Sequence, residues 1–276
     1  MRTRILTLSL IAFAIFSCET EAPKKETEQP KKVEVQEPDY KAEIISGVVR
    51  LKIGIGEEKE ESSIAYSYYK LSEKSFRYEE EINKFLASSI TTEMEESSRP
   101  KGDVELSPTY FKSILKNFKT EFENYGEGFP WSYYDSTFLD ESYEQFVQVK
   151  RNSYAFTGGA HGNSYIGNDL FSKETGEQLK LKDFISDVPK LTKIGDKYFR
   201  QTVEIQPTDD LEEQGFWFTK GFELNGNFYF ENNKMIFVYN QYEIGPYSMG
   251  IIFVEIPVRE IKSLLKLDLK RTKQDT

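Results

Sequence analysis

The stretch Phe228-Tyr229-Phe230-Glu231-Asn232-Asn233-Lys234-Met235-Ile236-Phe237-Val238-Tyr239 decides the fold. Two runs rich in aromatic and branched residues flank a short polar break, Glu231 to Lys234, which predicts a β-hairpin. Downstream, Ile251 to Ile256 is continuous and apolar, as a buried strand is. Pro257 then opens a short helix carrying Val258, Ile261, Leu264 and Leu265. Upstream, a helix is expected between Pro189 and Val203.

Moving outward, Trp131–Leu139 and Tyr143–Tyr154 read as strands, with Val147 and Val149 on one face of the second. Asn163–Phe171 is a further strand, closed by the turn signal Lys173-Glu174-Thr175-Gly176. Nearer the N-terminus, Ile44–Ile55 is extended and punctuated by Gly47 and Gly54, and Ile64–Tyr69 is strand-like with aromatics on both faces. Ile82, Phe85, Leu86 and Ile90 have helical spacing. Ser107 is a good N-cap with Pro108 after it. Phe111, Ile114, Leu115, Phe118, Phe122 and Tyr125 then form one apolar stripe, expected to be core, which ends at Gly126 and Gly128. Strands and helices mixed without regular βαβ alternation predict an α+β fold. No repeat of fixed period is present.

The first residues carry a different signal. Arg2 and Arg4 precede the apolar run Ile5–Phe16, Ser17 is small, and Cys18 follows. The run is too short to span a bilayer as a helix, so 1–17 reads as a signal peptide. Ile15-Phe16-Ser17-Cys18 resembles a bacterial lipobox, which implies lipidation of Cys18; a plain secretory signal is the alternative. Residues 18–40 are dominated by Pro, Glu, Lys, Gln and Thr and are expected to be a disordered tether. Such a tether reaches roughly 25 Å as a coil. The expected location is the cell envelope, lipid-anchored to a bacterial membrane (outer membrane, periplasmic face or cell surface).

Removing the two charges of Arg2 and Arg4 takes the formal net charge from -10 to -12. Nucleic acid is therefore a poor partner, whereas a cationic protein is compatible. Cys18 is the only cysteine, so no disulfide contributes within the chain. The 17 Tyr, 21 Phe and 2 Trp supply the apolar area for a core instead.

His161 is the only histidine, which rules out a multi-histidine zinc site. No Gly-x-Ser-x-Gly elbow accompanies it, and Gly54-Ile55-Gly56 lacks the third glycine of a dinucleotide loop. No cofactor, metal or catalytic residue is expected. Two segments stand out. Thr157-Gly158-Gly159-Ala160-His161-Gly162-Asn163 allows backbone angles and close approaches that side chains forbid. Tyr239–Gly250 joins two apolar strands and is rich in tyrosine, a residue suited to recognition surfaces. Each is also compatible with a structural crossover or corner. His161, Asn163, Tyr242, Glu243 and Tyr247 are the ligand-binding candidates.

These segments, with Thr175-Gly176-Glu177 and Leu179-x-Leu181-x-Asp183-Phe184 between them, resemble the RsiV/PdaC-like extracellular module. That module occurs in the ectodomain of a lysozyme-sensing anti-sigma factor, at the N-terminus of a peptidoglycan deacetylase, and as stand-alone lipoproteins. The resemblance implies two mixed helix-and-sheet α+β subdomains, 41–155 and 156–267, with largely antiparallel strands, before a charged tail at 268–276. Sigma-factor control and deacetylation are not expected, because a second apolar span and a following catalytic domain are not seen in the sequence. The expected function is a lipid-anchored envelope binding module for lysozyme, another cationic wall-active protein, or peptidoglycan. An envelope carbohydrate hydrolase or deacetylase using carboxylates with His161, or a structural envelope lipoprotein, are the alternatives.

Overall fold

In the computed structural model the hairpin at 228–239 forms as β7 (Phe228–Glu231) and β8 (Lys234–Tyr239). Asn232 and Asn233 make the turn at φ 48° and 59°. Both lie in the left-handed region that suits a hairpin's twist, and asparagine enters it at lower cost than most side chains. β9 (Ile252–Pro257) pairs antiparallel with β8 and completes a 3-stranded sheet in the order β7-β8-β9.

The structure describes residues 41–55, 58–72, 132–156 and 159–272, with isolated positions at 112, 113, 116 and 120. A second sheet has 6 strands in the order β1-β2-β3-β4-β5-β6. They are β1 (Lys41–Ile55), β2 (Glu58–Ser72), β3 (Ser132–Asp140), β4 (Phe146–Phe156), β5 (Asn163–Ser172) and β6 (Gln178–Leu179). Only β2 and β3 run parallel; the other neighbours are antiparallel. The architecture is α+β, as the mixed periodicity predicts. The expected boundary at 155 falls at the end of β4, and β5 continues the same sheet beyond it.

Helices α1 (Leu181–Phe184), α2 (Val188–Thr202) and α3 (Val258–Ile261) belong to the second half, α3 running on into a 3₁₀ turn at Lys262–Leu264. Asp187 caps α2 by accepting from the Lys190 N–H at 2.9 Å, and Pro189 sits in the first turn, where a missing N–H costs little. The helix buries Leu191, Gly195 and Phe199 and packs against β9. At Gly195 a Cβ would come within 2.9 Å of Leu224 and 3.0 Å of Phe222, so the helix meets that loop only because the side chain is absent.

The core is built from phenylalanine. Phe184 sits edge-on to Phe146 at 5.2 Å and to Phe228 at 5.6 Å, with Phe230 at 5.4 Å. Phe199 is the centre of a second group, at 4.9 Å from Phe216 and 5.0 Å from Phe222. Rings in these geometries contribute about 0.5–1.5 kcal/mol per pair beyond area burial. The first group joins the two sheets, since Phe146 comes from β4 and Phe228 and Phe230 from β7.

The stripe predicted for 82–90 lies outside the described residues. Of the helix predicted after Ser107, Lys112, Ser113, Lys116 and Thr120 are described. They are helical and exposed, the face opposite the apolar stripe, whose own residues lie outside the described set.

Asp169 on β5 faces the amide of Gln178, whose Nε2 donates to Asp169 Oδ1. Burial holds the Asp169 carboxyl above the ordinary 3.8, opposed by Lys180, the Gln178 bond and Arg151. Below 3.8 the acid is protonated in both folded and unfolded chains and its burial carries no charge penalty. Above its raised folded value it is ionised in both, and the penalty is complete. Asp169→Asn keeps the acceptor for Gln178. It is expected to raise stability at neutral pH and to leave it unchanged below pH 3.8, as read by urea unfolding at the two pH values.

Candidate functional site

β5 carries only the short β6 on its outer edge, at residues 170 and 171, which leaves the start of that edge open to other partners. The turn following β8 supplies them from side chains. Asn240 Oδ1 accepts the Ile166 N–H at 2.8 Å and its Nδ2 donates to the Ile166 carbonyl at 3.1 Å, so one amide acts as a strand residue. Gln241 Oε1 accepts the Ser164 N–H at 3.0 Å. Glu243 closes the turn, with one oxygen accepting from Asn240 N at 2.7 Å and the other from Asn225 Nδ2 at 2.7 Å. Asn227 Nδ2 reaches the Ile166 carbonyl at 2.7 Å, and its own oxygen accepts from Asn168 Nδ2 at 2.9 Å. Edge groups that would otherwise template pairing with another chain are thereby used up.

This scaffold presents an aromatic cluster. His161 stacks on Tyr247 with centroids 3.6 Å apart and planes 18° from parallel. Its Nε2 lies 3.2 Å from the Tyr242 hydroxyl, and its Nδ1 lies 3.1 Å from the Gly162 carbonyl oxygen. A neutral ring with the proton on Nδ1 satisfies both contacts, donating to Gly162 and accepting from Tyr242. Tyr242 and Tyr247 are 5.7 Å apart. Gly162 is required by close approach: a Cβ there would fall 2.4 Å from the Tyr154 ring, which lies across the glycine.

Tyr242 has φ 64°, a left-handed conformation that glycine or asparagine would adopt more cheaply. It is 49% exposed, so packing does not account for the ring being there. Beside it runs the loop 206–226. The Trp217 N–H donates to the Ile244 carbonyl at 2.9 Å, and Trp217 is 54% exposed, the highest value of any large apolar side chain described. Asp210, Glu212 and Glu213 on the same loop are exposed, Asp210 Oδ1 holding the turn through the N–H groups of the two glutamates.

Of the expected site residues, His161, Tyr242 and Tyr247 come together. Glu243 is directed into the turn and holds it. Asn163 is exposed at the first position of β5, opposite Ala155. Cys18 lies outside the described residues. Trp217 and Tyr165 escaped the sequence reading: the first sits in a stretch without periodicity, and the second alternates within a strand like any other residue. Among the described residues no three His, Cys, Asp or Glu side chains lie close enough together to hold a metal ion, and no helix is long and apolar enough to cross a membrane.

Residues 168–259, which run from mid-β5 through the tyrosine turn to α3, match the profile of a family described as a protein of unknown function, DUF3298. A DUF3298 domain is present. Two solved structures of DUF3298 family proteins share the fold. One, from Bacteroides fragilis NCTC 9343, superposes with TM-score 0.66 at 19% identity over 82% of this chain and 94% of its own. The other, from Pseudomonas aeruginosa PAO1, gives 0.61 at 17% identity over 86% and 99%. No curated protein matches the chain. The matched DUF3298 region includes Tyr242, Tyr247 and Trp217, while His161 and Gly162 precede it.

Proposed function

We propose that this protein is a cell-envelope binding module, lipid-anchored through Cys18, that captures a cationic wall-active protein of the lysozyme kind. The reading rests on one observation above the others: Tyr242, a large exposed ring held at φ 64° on a turn with every anchor satisfied. Backbone strain kept at an exposed aromatic is understandable when the ring itself is needed. Trp217 and Tyr247 beside it are the residue types that dominate binding energy at protein interfaces. The exposed acids Asp210, Glu212 and Glu213 and the net charge of -10 favour a basic partner. The resemblance to the RsiV/PdaC-like module points the same way.

The test is a titration of lysozyme onto the full chain in detergent micelles. Binding is expected at low salt and should weaken steadily as ionic strength rises. Trp217→Ala and Tyr242→Gly should each cost at least about tenfold in affinity. Tyr242→Gly also relieves a left-handed side chain worth about 1–2 kcal/mol, so its thermal stability should equal or exceed that of the parent. Lack of any interaction at low salt, or full affinity in both variants, would refute this function.

A further inference from the structure

We propose that the open cleft of about 370 Å³ between Tyr165 and Tyr242 is a binding site for a neutral saccharide. It lies on the outer edge of β5, and its volume is at the small end of the range of about 300–1,000 Å³ typical of small-ligand sites. Its floor is the amide network that docks the tyrosine turn. Asn227 spends both of its N–H groups on backbone carbonyls, of Ile166 at 2.7 Å and Val238 at 3.2 Å, and so is rigid. Other capacity is left over. Gln241 uses its oxygen on Ser164, and among the described residues its Nε2 donates to nothing, leaving two N–H groups at the cleft. Each Glu243 oxygen accepts one bond from the scaffold and has a further lone pair.

Fixed donors and acceptors of this kind, already ordered before a ligand arrives, suit hydroxyl-rich rings, because little freedom remains to be lost on binding. The walls suit the same ligand. Tyr165 and Tyr242 are 37% and 49% exposed and offer flat faces to the C–H surface of a sugar. No lysine or arginine lines the cleft, and its one ionisable carboxylate, on Glu243, repels anionic sugars and phosphates. The inference does not depend on the protein partner proposed above, because Tyr165 and Gln241 take no part in that surface.

The experiment is a saturation-transfer NMR titration of the full chain in detergent micelles with chitotriose, maltotriose and trigalacturonate. One of the two neutral trisaccharides should saturate in the millimolar range, and trigalacturonate should not. Preference for chitotriose would assign wall-type N-acetylated glycans, and preference for maltotriose would assign plain glucans. Gln241→Glu keeps the acceptor for Ser164 and removes only the two free donors. It and Tyr165→Ala should each weaken binding about tenfold or more, whereas Tyr165→Phe, which keeps the ring, should bind like the parent and guards against a folding artefact. Failure of both neutral sugars to saturate, tighter binding of trigalacturonate, or unchanged affinity in Gln241→Glu and Tyr165→Ala would each overturn the proposal.

Discussion

Gln148→Leu is expected to lower the unfolding free energy by about 3–5 kcal/mol although it substitutes an apolar residue of similar size in a core. Gln148 is fully buried on β4, and its amide is matched to the backbone of one residue on β7. Its Nε2 donates to the Phe230 carbonyl at 2.9 Å and to Asp140 Oδ2 at 2.8 Å, while its Oε1 accepts the Phe230 N–H at 2.6 Å. β7 is the edge of the smaller sheet, so these Phe230 groups point away from β8 and toward β4. Leucine removes their partner without admitting water, leaving a buried donor and acceptor that each cost about 1–3 kcal/mol. Gln148→Asn is one methylene shorter and should lose nearly as much. Urea unfolding followed by circular dichroism measures both; a leucine variant within 1 kcal/mol of the parent would show that the amide is dispensable.

Arg151→Met should cost a similar amount, about 3–5 kcal/mol, for a different reason. Asp135 on β3 has no solvent exposure, and Arg151 on β4 approaches it with Nη2 at 2.5 Å and Nε at 2.9 Å. The Tyr133 hydroxyl donates to the same Asp135 oxygen at 2.9 Å and accepts from Arg151 at 3.1 Å. Methionine fills much of the volume of the arginine stem but strands the carboxylate charge, which is the costly event. Adding Asp135→Asn should restore most of the loss, because the amide oxygen still accepts from Tyr133 and no charge remains. A double-mutant cycle in urea reads the coupling. Additive losses would mean that the pair does not act as a unit.

The contrast between these residues and the hairpin shows what was legible beforehand. Continuous apolar runs around Asn232 and Asn233 left one way to bury them, and β7, β8, β9 and α2 form within a few residues of their expected positions. Gln148 and Arg151 gave no such sign. A polar side chain in a strand reads as solvent-facing, and the partner of Gln148 is Phe230 of the other sheet. The candidate site divides in the same way. Glycines around His161 and tyrosines after Tyr239 marked places where backbone or rings are needed, and the structure stacks His161 on Tyr247. Glu243 looked like a ligand contact, yet its carboxylate faces the N–H groups of its own turn. Trp217 joins the cluster through a backbone bond to Ile244, a contact between separate loops that no local pattern announces.

The amide stitching of the tyrosine turn to β5 has a kinetic consequence. A visitor docking on Tyr242 meets a rim already frozen in shape, so productive collisions need no slow rearrangement after first touch. Capture should then proceed as a single exponential whose rate rises linearly with visitor concentration, and cutting one stitch, as in Asn240→Ala, should bend that line toward a plateau.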